Sequence, residues 1–445
     1  MDTLKPKTIL TGLLLSIVLL VCLEAALHVA GFKYNRYGLT PELEPVGRSP
    51  VDSIVVPDPE RLWKFKPGGR IITMMAQGDN LSGGEKGGAA PKIEVITNSL
   101  GLRNEEIGQK SAGENRVLVL GDSATFGDGV QAEDTYSERL EGFLKQRLKK
   151  ETIEVVNAGI IGYSSLQSLL LLESLGPVIQ PDVVLVFNLH SDLKVHWFHD
   201  SREVARGGRL KLLKLLYQAR IYHLARAGIS FVRRMLLKNA VRTGKVTDHL
   251  GPRVTLQEYR ENLKSIVEVS RKLGAKMLFI IPPLAASLPV TAPLFYPAGS
   301  QAPYNEGLKL LKAGRPAEAR DSFTEALRYG PEVAIFHHFL GLSEQSLGHA
   351  EKAEASLKKA KELDLTYTAL QEYRTVMRDV ASEHGIALVD LPTSFEKYRK
   401  FAAASGKKFF LDDTHPTSDG HAVIATELLT ALKKYVLPPF DRVRD

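Results

Sequence analysis

The chain has 445 residues, 44% of them hydrophobic and 24% charged. That balance excludes a disordered or low-complexity chain and leaves room for two or three globular units of roughly 150 residues. The net charge is +7, but ten Lys/Arg and no Asp/Glu fall between Arg209 and Lys245, leaving the remainder at −3. The basicity therefore belongs to one segment, and no nucleic-acid partner is expected. The single cysteine, Cys22, excludes an internal disulfide and a cysteine-built metal site.

The N-terminus reads TILTGLLLSIVLLVCLEAALHVAG over 8–31. As a helix this run would be about 36 Å long, enough for ~30 Å of hydrocarbon. Lys5 and Lys7 precede it, and no small-x-small cleavage site follows. The expectation is a membrane anchor over 1–32, single-pass in a bacterial inner (cytoplasmic) membrane, with the rest periplasmic or extracellular. Residues 33–115 form a juxtamembrane or accessory region with some β-structure. Within it, SGGEKGGAAP (82–91) marks an exposed loop, and 92–106 a strand followed by a turn.

From 116 the pattern becomes regular. Apolar runs at 116–123, 154–160, 182–189, 276–283 and 387–391 alternate with helical spacing at 134–150, 164–176, 256–274 and 418–436. Such alternation predicts an α/β fold, a parallel sheet of about five strands covered on both faces. It spans 116–300 and 366–445, with a basic helical insertion over 200–250. Residues 207–246 have three- and four-residue apolar spacing, which fits a helical insertion with a solvated basic face or an amphipathic surface lying on anionic lipid.

Residues 301–365 form a second insertion. Shifted by 34 positions, 304–337 matches 338–371: Gly307 with Gly341, Gly314 with Gly348, Ala319 with Ala353, Phe323 with Leu357 and Ala326 with Ala360. This period resembles tetratricopeptide repeats. The helix over 366–385 then joins the stack to the sheet, and the repeats (304–371) are a candidate surface for a protein partner at the cleft edge.

VLVLGDSATFGDGV (117–130) runs an apolar strand into Gly121-Asp122-Ser123. Serine needs a base within hydrogen-bond reach, and the base needs an orienting group. FFLDDTHPTSDGH near the C-terminus offers Asp412 and His415, three apart in a tight loop. Asp128 and Asp413 read as turn formers and His421 as a packing residue.

Together these blocks resemble the GDSL/SGNH hydrolase superfamily over about 116–200, 256–285 and 366–436. The resemblance implies a three-layer, flavodoxin-like fold and a Ser123–His415–Asp412 triad acting on acyl esters, O-acetyl groups of carbohydrate or lipid among them, without metal or cofactor. In EVVNAGIIGYSSLQSL (154–169), Gly162 matches the glycine whose N–H serves the oxyanion hole, with Gly159 as the nearby alternative. The Ser123 N–H would join it, aided by the positive end of the helix that follows. The third block departs from the pattern: Leu189-His190-Ser191-Asp192 places Ser191 where the family has an asparagine donor, with Asn188 on the other face and His190 able to donate if the turn bends. The same triad serves O-acyltransferases acting on exported polysaccharide, and the Ser191 replacement would also suit a catalytically idle envelope scaffold.

Overall fold

A computed structural model describes residues 6–30, 54–58, 60–74, 92–148, 152–196, 199–209, 251–285, 296–405 and 407–435, with scattered positions between 220 and 232. In chain order, α1 (Pro6–Val29) precedes two antiparallel pairs, β1 (Val55–Asp58) with β2 (Leu62–Phe65) and β3 (Arg70–Met74) with β4 (Lys92–Ile96). Then come β5 (Asn115–Gly121), the single-turn α2 (Ser123–Phe126), α3 (Tyr136–Leu148), β6 (Ile153–Gly159), α4 (Ser165–Ile179), β7 (Val183–Val186) and the short α5 (His190–Leu193). A two-residue pair, β8 (Val195–His196) with β9 (Gly251–Pro252), brackets α6 (Asp200–Arg209). The chain continues with α7 (Leu256–Lys272), β10 (Lys276–Ile281), four insertion helices α8 (Gln301–Lys312), α9 (Pro316–Tyr329), α10 (Ala334–Ser346) and α11 (Ala350–Leu363), then α12 (Leu365–His384), β11 (Ala387–Asp390), α13 (Leu391–Ser405) and α14 (Ser418–Tyr435).

Five strands form one parallel sheet in the order β11-β10-β7-β5-β6. Alternate side chains of β5 enter different layers, so the strand must be apolar throughout. Leu118 and Leu120 pack with Leu171, Leu263 and Met377 from α4, α7 and α12. Val117 and Val119 pack with Leu140, Phe395 and Leu428 from α3, α13 and α14. This is the three-layer α/β arrangement expected from the alternation. β5 has β6 on one side and β7 on the other, so the chain reverses its direction of sheet growth there. The crevice at such a switch point lies beyond the C-terminal strand ends, where Ser123 stands.

The described part of 33–115 packs on the sheet layer. Trp63, Phe65, Ile93 and Val95 share one apolar cluster with Leu118, Leu120 and Phe126 of the sheet layer, and the Phe65 and Phe126 rings lie 5.1 Å apart. Burying those rings requires the sheet, so these strands and the α/β layers share a core.

The insertion forms two helical hairpins whose own cluster includes Tyr304, Phe323, Ala326 and Phe336. The paired small and large residues meet as the 34-residue period predicted: Phe323 covers Gly307, and Leu357 covers Gly341. The stack joins the α/β layers through α12, whose Arg374 donates to the Pro282 carbonyl at 3.2 Å.

The expected transmembrane span over 8–31 is not what the structure shows. Among the described residues no helix is long and apolar enough to cross a membrane. α1 is apolar and exposed over Leu14 to Val21, and Glu24 in its last turns is engaged. The Glu24 carboxylate accepts from the backbone N–H groups of Arg220 and Ile221 at 2.9 and 3.0 Å. Most of the basic segment over 207–246 lies outside the described residues.

Candidate active site

Two turns 292 positions apart in sequence meet at the C-terminal edge of β5. Asp122 caps α2, one carboxylate oxygen accepting from the Ala124 N–H at 3.1 Å. The loop before α14 is shaped by Asp412, whose Oδ1 accepts from the Thr414 and His415 N–H groups at 2.8 Å each. Its Oδ2 lies 2.6 Å from His415 Nδ1, and His415 Nε2 lies 2.8 Å from Ser123 Oγ. A carboxylate only accepts, so Nδ1 carries the proton of the neutral ring and Nε2 is left to accept the Ser123 hydroxyl proton.

Burial alone would push the His415 pKa down, but the hydrogen bond and charge of Asp412, with Asp128 and Asp122 farther off, outweigh it and the net shift is upward. For Asp412, burial works upward, and the His415 ring together with the two backbone N–H groups brings the carboxyl down to about 2. Asp412 therefore stays ionised wherever the ring titrates. The arrangement can take a proton from serine, hold it as imidazolium and return it to a leaving group.

The turn after β6 decides between the two glycine candidates. Gly159 N–H donates to Asn157 Oδ1 at 3.0 Å, so it is already committed. Gly159 is there for a different reason: a Cβ would come within 2.4 Å of the Phe126 backbone nitrogen. Gly162 sits at φ +77° in a turn closed by the Tyr163 N–H to the Ile160 carbonyl at 2.9 Å. Its N–H has no hydrogen-bond partner among the described residues.

Ser191 is placed differently from the expected donor. Its hydroxyl donates to Asp122 Oδ2 at 3.0 Å, which directs its proton to the nucleophile turn. Asn188 Nδ2 reaches the Tyr163 carbonyl at 3.3 Å and supports the Gly162 turn from beneath. His190 is buried, its Nε2 has no partner among the described residues, and burial pushes its pKa down to about 4. The expected help from the positive end of the helix after Ser123 is slight, because α2 is one turn of four residues and few peptide dipoles add up. His421 is fully buried, accepts from the Tyr136 N–H at 3.2 Å and stacks on that ring, a packing role. The Asp413 carbonyl accepts from the Ala285 N–H at 3.0 Å, which ties the chain just after β10 to the His415 loop.

Sequence reasoning missed the residues that brace these turns. Arg103 donates to the carbonyls of Phe126, Gly127 and Val130 at 2.7–3.0 Å and lies over the Phe126 ring, closing the end of α2. Arg253 donates to the Gly162 carbonyl at 2.6 Å, to Gln167 Oε1 at 2.7 Å and to Asp200 Oδ2 at 2.8 Å. Asp200 also accepts from Ser164 at 2.6 Å. No spacing rule ties Arg103 or Arg253 to partners 23 to 91 positions away.

No protein-family profile matches the chain, and no curated protein matches it. Among solved structures it is similar to an α/β hydrolase enzyme from the metagenome of Lake Arreo, Spain, at 17% identity and a TM-score of 0.37 over 73% of this chain and 98% of that one. It is also similar to an acetyl xylan esterase at 15% identity and a TM-score of 0.35, over 71% and 99% of the two chains. A third is the lipase/acylhydrolase from Enterococcus faecalis, at 15% identity and a TM-score of 0.34, over 72% and 96%. Likeness of that grade fixes neither substrate nor chemistry, which rest on the geometry of the two turns.

Proposed function

We propose that this chain is a serine esterase of the GDSL/SGNH type acting on acyl esters, with O-acetyl groups of carbohydrate or lipid as the substrate class. The observation that carries this reading is the hydrogen-bonded series Asp412–His415–Ser123, assembled across 292 positions of sequence. Ser123 Oγ attacks the acyl carbonyl while its proton passes to His415 Nε2. The tetrahedral oxyanion is held by the Ser123 and Gly162 N–H groups. The C–O bond to the alcohol then breaks, and the alcohol leaves with the proton from His415. Water repeats the sequence on the acyl-enzyme and releases the acid. Backbone donors of this kind are worth ~3–4 kcal/mol each in the transition state.

The test is acetate release from acetylated oligosaccharides and short-chain acyl esters by the full chain, with Ser123→Ala and His415→Ala as controls. Release that depends on both residues supports the reading. Release by neither the full chain nor its variants contradicts it, and acetate appearing on an added sugar acceptor instead would favour acyl transfer.

In the same reading the chain acts at a membrane, outside the cytoplasm. The support is α1, whose Leu14, Leu15, Leu19 and Val21 are exposed and would cost free energy in water. Flotation of the full chain with liposomes is the expected result; a chain that stays in the soluble fraction contradicts this part.

A further inference from the structure

The oxyanion turn carries an external hydrogen bond on the one peptide that matters. Ile160 to Tyr163 form a four-residue turn with the carbonyl of the first bonded to the N–H of the fourth and a positive φ at the third, the signature of type II. Types I and II differ by a flip of the central peptide. In this turn that peptide joins the Ile161 carbonyl to the Gly162 N–H, so fixing one end fixes the other. The Ile161 carbonyl accepts from the Trp63 indole Nε1–H at 3.2 Å.

Trp63 is itself held from three sides. Its backbone carbonyl accepts from the Tyr163 hydroxyl at 2.7 Å. Its ring meets the Tyr163 ring edge-on at 5.9 Å. The Arg253 guanidinium lies 5.2 Å over its centre while donating to the next carbonyl of the turn, Gly162. The indole is 4% exposed, so water does not compete for its N–H.

We propose that Trp63 is the positioning residue of the oxyanion donor: its indole N–H holds the Ile161 carbonyl and thereby locks the 161–162 peptide with the Gly162 N–H turned toward the acyl oxygen. This rests on the esterase reading. The lock acts in two ways. It suppresses the flip that would present a carbonyl, and so a repulsive dipole, to the developing oxyanion. It also polarises the peptide, because a hydrogen bond accepted at C=O strengthens the bond donated at N–H.

The test is steady-state hydrolysis of p-nitrophenyl acetate by the full chain across pH 5–9, together with the melting temperature. Ser123-dependent turnover by the wild-type chain is the condition set by the esterase reading; its absence overturns that reading and this proposal with it. Given that turnover, Trp63→Phe keeps the ring face for Arg253 and loses the N–H. The expected result is a kcat lower by roughly 10- to 100-fold, below the roughly 100- to 1,000-fold cost of deleting a whole oxyanion donor, with KM within about twofold. The pH midpoint set by His415 should not move. A kcat within about twofold of wild type overturns the proposal while leaving the esterase reading intact. A lower kcat accompanied by a moved pH midpoint also overturns it, since it would assign Trp63 to packing of the whole site. If Trp63→Phe does not fold, the chain with 3-benzothienylalanine at position 63 preserves the bicyclic shape without the N–H, and the same two outcomes decide.

Discussion

The two turns that flank Ser123 at the sheet edge are built on opposite plans. The turn over 160–163 is held from outside by Trp63, Arg253 and Asn188, and among the described residues the Gly162 N–H has no partner. In the segment over 187–192 the side chains of Ser191 and Asp192 are committed to neighbours: Ser191 bonds Asp122, and Asp192 accepts from the Ser165 N–H at 2.8 Å. Burial pushes Asp192 up to about 7 against the pull of those Ser165 hydrogen bonds. The contrast teaches that a committed side-chain hydroxyl and a braced, unpartnered backbone N–H can stand side by side at one sheet edge. It also locates one of the braces, Trp63, in a part of the chain that precedes the α/β pattern.

Several substitutions break or sharpen that contrast. Ser123→Ala and His415→Ala should lower esterase kcat by roughly 10,000-fold or more while leaving thermal unfolding nearly unchanged, since triad residues act as a unit. Asp412→Asn should cost about 1,000- to 10,000-fold at neutral pH, and it also tests the electrostatics. The carboxylate holds the His415 pKa above its ordinary 6.5 against burial, and the base must be neutral, so wild-type activity should rise with pH through a midpoint above 6.5. Without the Asp412 anion the largest upward influence is lost, burial is opposed only by the charges of Asp128 and Asp122, and the midpoint should fall. A midpoint that rises or stays put in the variant contradicts the account.

Arg253→Ala strikes the braced turn itself. It leaves Asp200, fully buried, without its cation, and breaking a buried pair this way costs about 3–5 kcal/mol. Denaturant titration of the full chain should show that loss. The smallest effect is expected at the other turn. Ser191→Ala should change kcat by less than about fivefold, because its hydroxyl serves Asp122 rather than the reacting carbonyl. A 100-fold loss there would show that the 187–192 segment supplies an oxyanion donor after all.

Much of the frame was legible in the sequence because it rests on periodicity. The five apolar runs became the five parallel strands in a flavodoxin-like order, and the 34-residue period placed Phe323 on Gly307. The Asp412–His415 loop was legible because a three-residue spacing limits where a carboxylate can reach. The braces were not. Trp63 lies in a short strand with no repeat or motif, and its reach to Ile161 exists only once β2 packs on the sheet layer. Ser191 and Gly159 stood among the oxyanion candidates for a related reason. A residue type and a position do not reveal whether a hydroxyl or an N–H is already committed to a neighbour, here Asp122 and Asn157. The anchor expectation rested on the length of an apolar run, and among the described residues no helix is long and apolar enough to cross a membrane.

The central claim is that His415 activates Ser123. Its most direct test is a fluorophosphonate reacted with the full chain, followed by intact mass and peptide mapping. The account predicts a single adduct on Ser123, absent in Ser123→Ala and strongly slowed in His415→Ala. A folded chain that takes up no adduct, or takes it up elsewhere, would contradict it.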